Sequence, residues 1–119
     1  MLGREPPPVE LNERWFKEGA EVKSFSFNGG SGSTTIYTVP AGYTFYVNSI
    51  FVMQYAVSGE KMVLKDNATT KFEMEEMTGA DDKEFFNFPC PLIFETSLVS
   101  SASAACDAWV TLSGWIEKT

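Results

Sequence analysis

Carboxylates are the most concentrated source of possible chemistry in this chain. The acidic cluster consists of Glu73, Glu75, Glu76, Asp81, Asp82 and Glu84. A calcium site or a pair of glycosidase carboxylates requires such groups. The D-x-D-x-D-G spacing of a calcium loop is missing. The sequence therefore favours a solvated acidic face, with a cation site second and a catalytic role last. No metal and no cofactor are therefore predicted, although cation binding by the cluster stays open.

The chain contains no histidine, and its two cysteines offer little chemistry. Histidine general-base catalysis, Ser-His-Asp and Cys-His arrangements and histidine metal sites are therefore excluded. Cys90 and Cys106 lack metal-ligand spacing, and whether they pair stays open. Cys106 shares its parity with apolar residues, which predicts burial, whereas Cys90 lies between two prolines in a predicted loop or strand edge. With no nucleophile next to a base, we predict that the protein is not an enzyme.

Two short motifs are interpreted as structural. The glycine-rich segment 28–33 lacks the lysine of a phosphate-binding loop and precedes no helical pattern, which favours a flexible hairpin connection. Asn67-Ala68-Thr69 matches the N-glycosylation pattern but has no secretory context, so it is discounted.

The overall charge restricts the partners. The formal net charge of −7 argues against nucleic acid and anionic membranes, since binding phosphates needs clustered Lys and Arg. The start of the sequence shows no signal-peptide pattern, and no apolar run approaches the roughly 20 residues of a membrane span. We therefore expect synthesis in a cytoplasm, without membrane insertion.

The chain divides into an arm and a domain. Residues 1–20 are predicted to form an N-terminal arm, with an extended polyproline stretch at Pro6, Pro7 and Pro8 and one or two helical turns after it. In those turns Leu11 and Trp15 would lie one turn apart. The pair Trp15 and Phe16 needs a place to bury its rings, either on its own domain or on a neighbouring subunit, and the sequence leaves both open.

Residues 21–119 are predicted to form an all-β domain around the segment 35–55. Strands are expected near 22–27, 33–39, 43–55, 61–65, 69–75, 84–88, 91–98 and 106–117. This spacing indicates a two-sheet antiparallel sandwich, jelly-roll-like, with about eight strands. On the third of these strands, alternation places Tyr43, Phe45, Val47, Ser49, Phe51 and Met53 on one face. The small-residue segment 97–105 suits a tight crossover or an edge strand.

The last strand carries two indoles on one face. Trp109 and Trp115 alternate with the smooth apolar side of that strand. Their pattern favours a covered sheet face or a subunit interface, because Trp is enriched at protein interfaces. The alternative is a sugar-stacking platform that also includes Tyr43 and Tyr46.

Two strings of the sequence resemble a known class of proteins. YTVPAGYTFYVNSIFV, followed by PLIFETSLVSSASAACDAWVTLSGWIE, is similar to small β-sandwich virion proteins of tailed bacteriophages. In that class a TVPAG hairpin before an aromatic strand recurs together with such an ending. The resemblance covers roughly residues 33–117 and leaves out the arm. It implies a structural role on the particle, as a capsid decoration, head completion, tail or fibre protein.

The resemblance and the surfaces together predict a capsid decoration or cement protein of the virion. Its partners would be copies of itself, in a homotrimer, and the major capsid protein or another virion protein. The alternative is a carbohydrate- or receptor-binding module of a tail or fibre. The predicted partner-binding residues are Pro6, Pro7, Pro8, Leu11, Trp15, Phe16, Trp109 and Trp115.

Overall fold

The computed structural model describes residues 20–54, 62–73 and 83–119, without the side chains of residues 29–31, 54 and 103–107. Within these residues the strands are β1 (Glu21–Thr38), β2 (Tyr43–Gln54), β3 (Met62–Asp66), β4 (Thr69–Glu73), β5 (Lys83–Phe94) and β6 (Ser97–Lys118). This part of the chain contains no helix long and apolar enough to cross a bilayer. The predicted arm, apart from Ala20, lies outside the described residues.

Two long strands run through both layers of a sandwich. Residues 21–28 of β1 pair with residues 109–116 of β6, and residues 32–38 pair with residues 97–102. The first pairing belongs to sheet I, whose order is β1–β6–β2–β5, and the second to sheet II, whose order is β1–β6–β3–β4. All neighbours are antiparallel. The two-sheet antiparallel sandwich predicted from the sequence is therefore confirmed.

The order of the strand segments defines a jelly roll. Because β1 and β6 each contribute one segment to each sheet, the six strands supply eight segments. Numbered along the chain, the segments follow the order 1-8-3-6 in sheet I and 2-7-4-5 in sheet II. Successive segments thus alternate between the layers except for segments 4 and 5, which are neighbours in sheet II, and this is the arrangement of jelly-roll domains.

The glycine-rich segment 28–33 is part of a strand, so the predicted hairpin connection is wrong. Pairing with β6 continues through it, with register shifts between Asn28 and Gly30 and between Gly30 and Gly32. Gly32 adopts a φ of 74°, which side chains disfavour. Bulges of this kind bend a strand sharply, and here the bend carries β1 from sheet I into sheet II.

The segments 84–88 and 91–98 do not form two separate strands as predicted. Lys83–Phe94 is one strand, β5, although it contains two prolines. Leu92 pairs with Val47 and Asn87 with Ser49, so the four residues 88–91 form a bulge opposite the single residue Asn48. The prolines lie within this bulge, where few ladder hydrogen bonds are lost.

The small-residue segment 97–105 is not an edge strand, and its residues 103–105 lie where β6 passes from sheet II to sheet I. It belongs to β6, which is 22 residues long, and residues 97–102 pair with β1 on one side and β3 on the other. Ser100 and Ala102 are buried there at 1% and 6% exposure. The strands predicted at 61–65 and 69–75 correspond to β3 and β4.

The face predicted for β2 is correct only as far as Val47. A bulge at Asn48 shifts the register against β6 and β5, so the inward side passes from Phe45 and Val47 to Ile50 and Val52. All four of these side chains are fully buried. The core between the sheets also includes Phe27, Val39, Met62, Leu64, Phe94, Leu98, Ala108, Val110, Leu112 and Ile116.

Aromatic rings close the core at both ends of the sandwich. Phe25 of sheet I packs on Tyr37 of sheet II with ring centroids 4.9 Å apart, and both rings contact Phe45 edge-on. At the β4–β5 side, Phe72 makes an edge contact with Phe86 at 4.9 Å. Such tilted and edge-to-face pairs are the favoured arrangements of buried rings.

Candidate interaction surface

The outer face of sheet I can be built row by row from the strand register. Each row joins one residue from β1, β6, β2 and β5, in that order. The rows are Val22–Trp115–Tyr46–Ile93, Ser24–Ser113–Ser49–Asn87, Ser26–Thr111–Phe51–Phe85 and Asn28–Trp109–Met53–Lys83. Apolar side chains thus form two groups on either side of a polar row. We call the first row the Trp115 patch, and Phe51, Phe85, Trp109 and Met53 together the Trp109 patch.

Both patches expose large apolar side chains. The exposed fraction is 68% for Val22 and 42% for Ile93 in the Trp115 patch. It is 64% for Phe85 and 37% for Trp109 in the Trp109 patch. Among the described residues, all the large hydrophobic side chains that are exposed lie on this outer face. Exposed apolar groups bordered by polar residues occur at protein interaction sites.

The serine and threonine hydroxyl groups on this face already have hydrogen-bond partners within the domain. Ser49 Oγ and Ser113 Oγ lie 2.8 Å apart, and Ser26 Oγ lies 3.1 Å from Thr111 Oγ1. Ser24 donates to the backbone oxygen of Leu112 at 3.3 Å. A polar group that already has a partner is less costly to remove from water. The polar row is therefore compatible with burial beneath a partner.

The two outer faces of the sandwich differ in chemistry. Lys83 is the one charged side chain on these four rows of sheet I, and Glu117, which pairs with Thr44 in the next row, lies beside the Trp115 patch. On sheet II the corresponding face carries Lys65 and Glu73, and Ser33 and Ser101 share a hydroxyl contact of 3.0 Å. The four rows of sheet I are therefore poorer in charge than the outer face of sheet II, which also carries the apolar residue Val63.

Trp115 lies on the predicted face but is almost fully covered. Its exposed fraction is 4%, its ring stacks on Tyr46 with centroids 5.2 Å apart, and its Nε1 donates to Glu117 at 2.9 Å. Of the two predicted exposed indoles, Trp109 is thus the exposed one. Whether either residue binds a partner stays a prediction.

The sugar-stacking platform is not assembled. Trp109 and Trp115 lie six positions apart on one strand, about 20 Å at 3.4 Å per residue. Tyr46 lies beside Trp115, whereas Tyr43 packs against the hydrophobic core on the inner side of the sheet. These four rings therefore offer no shared surface to a sugar.

The remaining predicted chemistry falls largely outside the described residues. Pro6, Pro7, Pro8, Leu11, Trp15 and Phe16 lie there, as do Glu75, Glu76, Asp81 and Asp82. Glu73 and Glu84 are described, and both are exposed. Cys90 is an exposed free thiol in the β5 bulge, whereas the side chain of Cys106 is not among those described. Within the described ranges, no group of His, Cys, Asp and Glu could hold a metal ion.

Sequence reasoning misses much of this surface. Strict alternation places Phe51 and Met53 on the same face as Phe45, and the bulge at Asn48 reverses that assignment. Phe85 and Ile93 lie on predicted strands to which the sequence assigns no face, because the pairing with β2 decides which way they point. The signal that is present in the sequence is the phase break after Val47, where polar Asn48 and Ser49 interrupt an apolar strand.

The comparisons with known proteins give only distant likenesses. No protein-family model and no curated protein matches the sequence. One similar structure is a chain of the Bacillus endospore appendages, which form disulfide-linked pili, with 10% identity, a TM-score of 0.43 and coverage of 83% of this chain and 86% of that one. Another comes from the Gx strain of infectious bursal disease virus, with 15% identity, a TM-score of 0.28 and coverage of 93% of this chain and 35% of that one. Both TM-scores lie below 0.5, so neither likeness carries a function to this chain.

Proposed function

We propose that this protein is a structural protein of a virion, a capsid decoration protein that docks on the shell and on copies of itself through the outer face of sheet I. The exposed, charge-poor apolar surface of that face carries the proposal. The likeness of residues 33–117 to small sandwich proteins of tailed bacteriophages agrees with it. The shell partner is the major capsid protein, and the decoration unit is a homotrimer assembled in the host cytoplasm.

The size of the face suits such a role. Four strands spaced about 4.8 Å apart, with eight residues rising about 3.3 Å each, cover about 500 Å² in projection. A standard interface buries about 800 Å² on each partner, so the face supplies most of what stable docking requires. At about 25 cal/mol per Å², burying its apolar part offsets the loss of rotational and translational freedom on association.

The most exposed residues of the Trp109 patch provide the test. We expect the double variant F85S/W109S to lose binding to shells assembled from the major capsid protein of the same virus, because it replaces the patch's apolar anchors with hydroxyls. Binding is measured by co-sedimentation with the shells, and self-association by light scattering. The matched control is Val63→Ser, which removes an apolar side chain from the outer face of sheet II.

The two measurements separate the two parts of the proposal. Shell binding that survives F85S/W109S would show that this face does not dock on the shell. A wild-type protein that never sediments with shells would exclude the decoration role. A wild-type mass equal to a monomer would exclude the homotrimer. Equal losses of shell binding in F85S/W109S and Val63→Ser would indicate that both variants are generally destabilised. Circular dichroism of the two variants tests for that.

A further inference from the structure

We infer that a pocket on the outer face of sheet I is the binding site for Trp15 of the protein's own N-terminal arm. The pocket has a volume of about 390 Å³ and lies over the Asn48 bulge. Val22 and Trp115 form one side, Phe88 and Pro89 of the β5 bulge form the other, and Asn48 and Ser113 contribute polar atoms. This volume accommodates an indole ring with room to spare.

The lining can accommodate an aromatic ring that carries a hydrogen-bond donor. The Trp115 ring is stacked on Tyr46, and the Ser113 hydroxyl is paired with Ser49. Asn48 is exposed and sits at the pocket, where its side-chain carbonyl can accept a hydrogen bond. Val22, Pro89 and Trp115 supply apolar surface and Asn48 an amide that can accept or donate, which suits an indole with its apolar body and N–H donor.

The position of the arm makes it the occupant. The described chain begins at Ala20, two residues before Val22, which is 68% exposed and forms a wall of the pocket. Trp15 lies five residues before Ala20, a reach of about 17 Å at 3.3–3.6 Å per residue. The four strands of sheet I span about 14 Å between the outermost two, so the whole pocket is within that reach.

Attachment to the same chain favours the arm over the arm of a second copy. A ligand tethered by a short flexible linker has an effective concentration in the mM range, and closing so short a loop costs little. The arm of another copy would have to exceed that concentration to compete. Trp15 also carries the hydrogen-bond donor that its neighbour Phe16 lacks. The inference does not depend on docking to a shell, because the Trp109 patch stays uncovered when Trp15 fills the pocket.

Nuclear Overhauser effects on the full-length protein test this assignment. We expect contacts between the Trp15 indole protons and the Val22 methyl groups, within single molecules of a sample that mixes isotope-labelled and unlabelled protein. Trp15→Ala should abolish them and shift the resonances of Val22 and Ser113. Trp15→Phe should keep the contact to Val22 while changing the Asn48 side-chain amide resonance. The matched control, Phe16→Ala, should leave these resonances in place.

Three results would overturn the inference. Val22 resonances that do not respond to Trp15→Ala would mean that the pocket does not hold Trp15. Contacts seen only between labelled and unlabelled molecules would place the arm of a second copy in the pocket. A response to Phe16→Ala with none to Trp15→Ala would assign the pocket to the other ring. If the wild-type protein shows the Trp15 contacts but does not bind shells, the proposed decoration function is wrong and the assignment of Trp15 to the pocket is unaffected.

Discussion

Asp66 joins the end of β3 to the turn between β5 and β6. Its carboxylate accepts backbone N–H groups from Glu95 at 2.8 Å, Thr96 at 2.9 Å and Ser97 at 3.1 Å. Partial burial acts to raise the pKa of this carboxyl, but the three hydrogen bonds and the charge of Lys71 outweigh it and leave the pKa lowered from 3.8. The folded state therefore holds Asp66 in its charged form.

The lowered pKa of Asp66 predicts a defined pH dependence. Its contribution to stability is complete above the unfolded pKa of about 3.9 and is lost as the pH falls through the lower folded value. We expect Asp66→Asn to lower the free energy of unfolding at pH 7 by about 1 kcal/mol, the size of a helix N-cap contribution. The difference from wild type should shrink as the pH falls below 4.

Thermal unfolding at pH 7 and at pH 2.5 measures this difference. Glu95→Gln is the control, because it removes a neighbouring charge without removing the acceptor of these three N–H groups. A gap between wild type and Asp66→Asn that stays constant over this range would refute the electrostatic explanation.

At Gly114, β6 lies close against the backbone of β2. A Cβ atom at this position would lie 2.7 Å from the carbonyl carbon of Tyr46 and 2.9 Å from the Cα of Val47. Both atoms belong to the backbone next to the Asn48 bulge, so neither can move aside as a flexible side chain would. The absence of a side chain at Gly114 therefore permits the bulge.

We expect Gly114→Ala to destabilise the protein by about 3 kcal/mol, the upper range for overpacking a well-packed interior. Urea unfolding midpoints measure the loss. Gly42→Ala serves as the comparison, because Gly42 has a φ of 83° and no heavy atom within 4 Å of the place that a Cβ would occupy. That substitution should cost only the about 1–2 kcal/mol of a left-handed backbone. Equal losses in the two variants would mean that the close approach to Tyr46 is unimportant.

At the level of elements, β5 shows how one edge of sheet I is protected against pairing with another strand. In the described structure β5 pairs with β2 alone and forms one edge of sheet I. Pro89 and Pro91 lie on it, and a proline offers no N–H to an approaching strand. Bulges and prolines on an edge are the usual protection against edge-to-edge association.

We expect the double variant P89T/P91T to associate beyond the wild-type oligomer, because it restores two backbone donors on an exposed edge rich in Phe. Light scattering during incubation at 37 °C measures the fraction of protein above the wild-type mass. Asn87→Thr, which changes an exposed residue of the same strand without adding a donor, is the control. A double variant whose mass distribution matches that of Asn87→Thr would contradict this role for the prolines.

The elements were predictable to the extent that local pattern decides them. The turn at Pro40–Gly42, the alternation of β6 beyond Ala108 and the short strands β3 and β4 follow from residue type and period. The bulges at Asn48, at residues 88–91 and in the glycine segment do not, because a bulge is defined by the register with a partner strand. The glycines of segment 28–33 and the prolines at 89 and 91 are typical of a bulge and of the end of a strand alike, so the sequence does not distinguish the two.

At the scale of the whole molecule, charge and apolar surface are kept apart. The chain carries a net charge of −7, yet the four rows of the outer face of sheet I include Lys83 as their one charged residue. The net charge disfavours nonspecific association, while the face remains available to a partner of matching shape. The sequence predicted Trp109 as part of this surface, but the extent of the surface depends on the sheet order, which places β2 and β5 beside β6.

The pairing of β1 with β6 also determines how the domain would respond to force. Glu21 at the start of β1 pairs with Ile116 near the end of β6, so Ala20 and Thr119 lie at the same end of the sandwich. Force applied between these two residues would break the hydrogen-bonded pairs between β1 and β6 one after another. A pull between Ala20 and the opposite end of the sandwich would load many pairs at once, in shear. We therefore expect the domain to yield at a lower force when pulled between Ala20 and Thr119 than when pulled along its length.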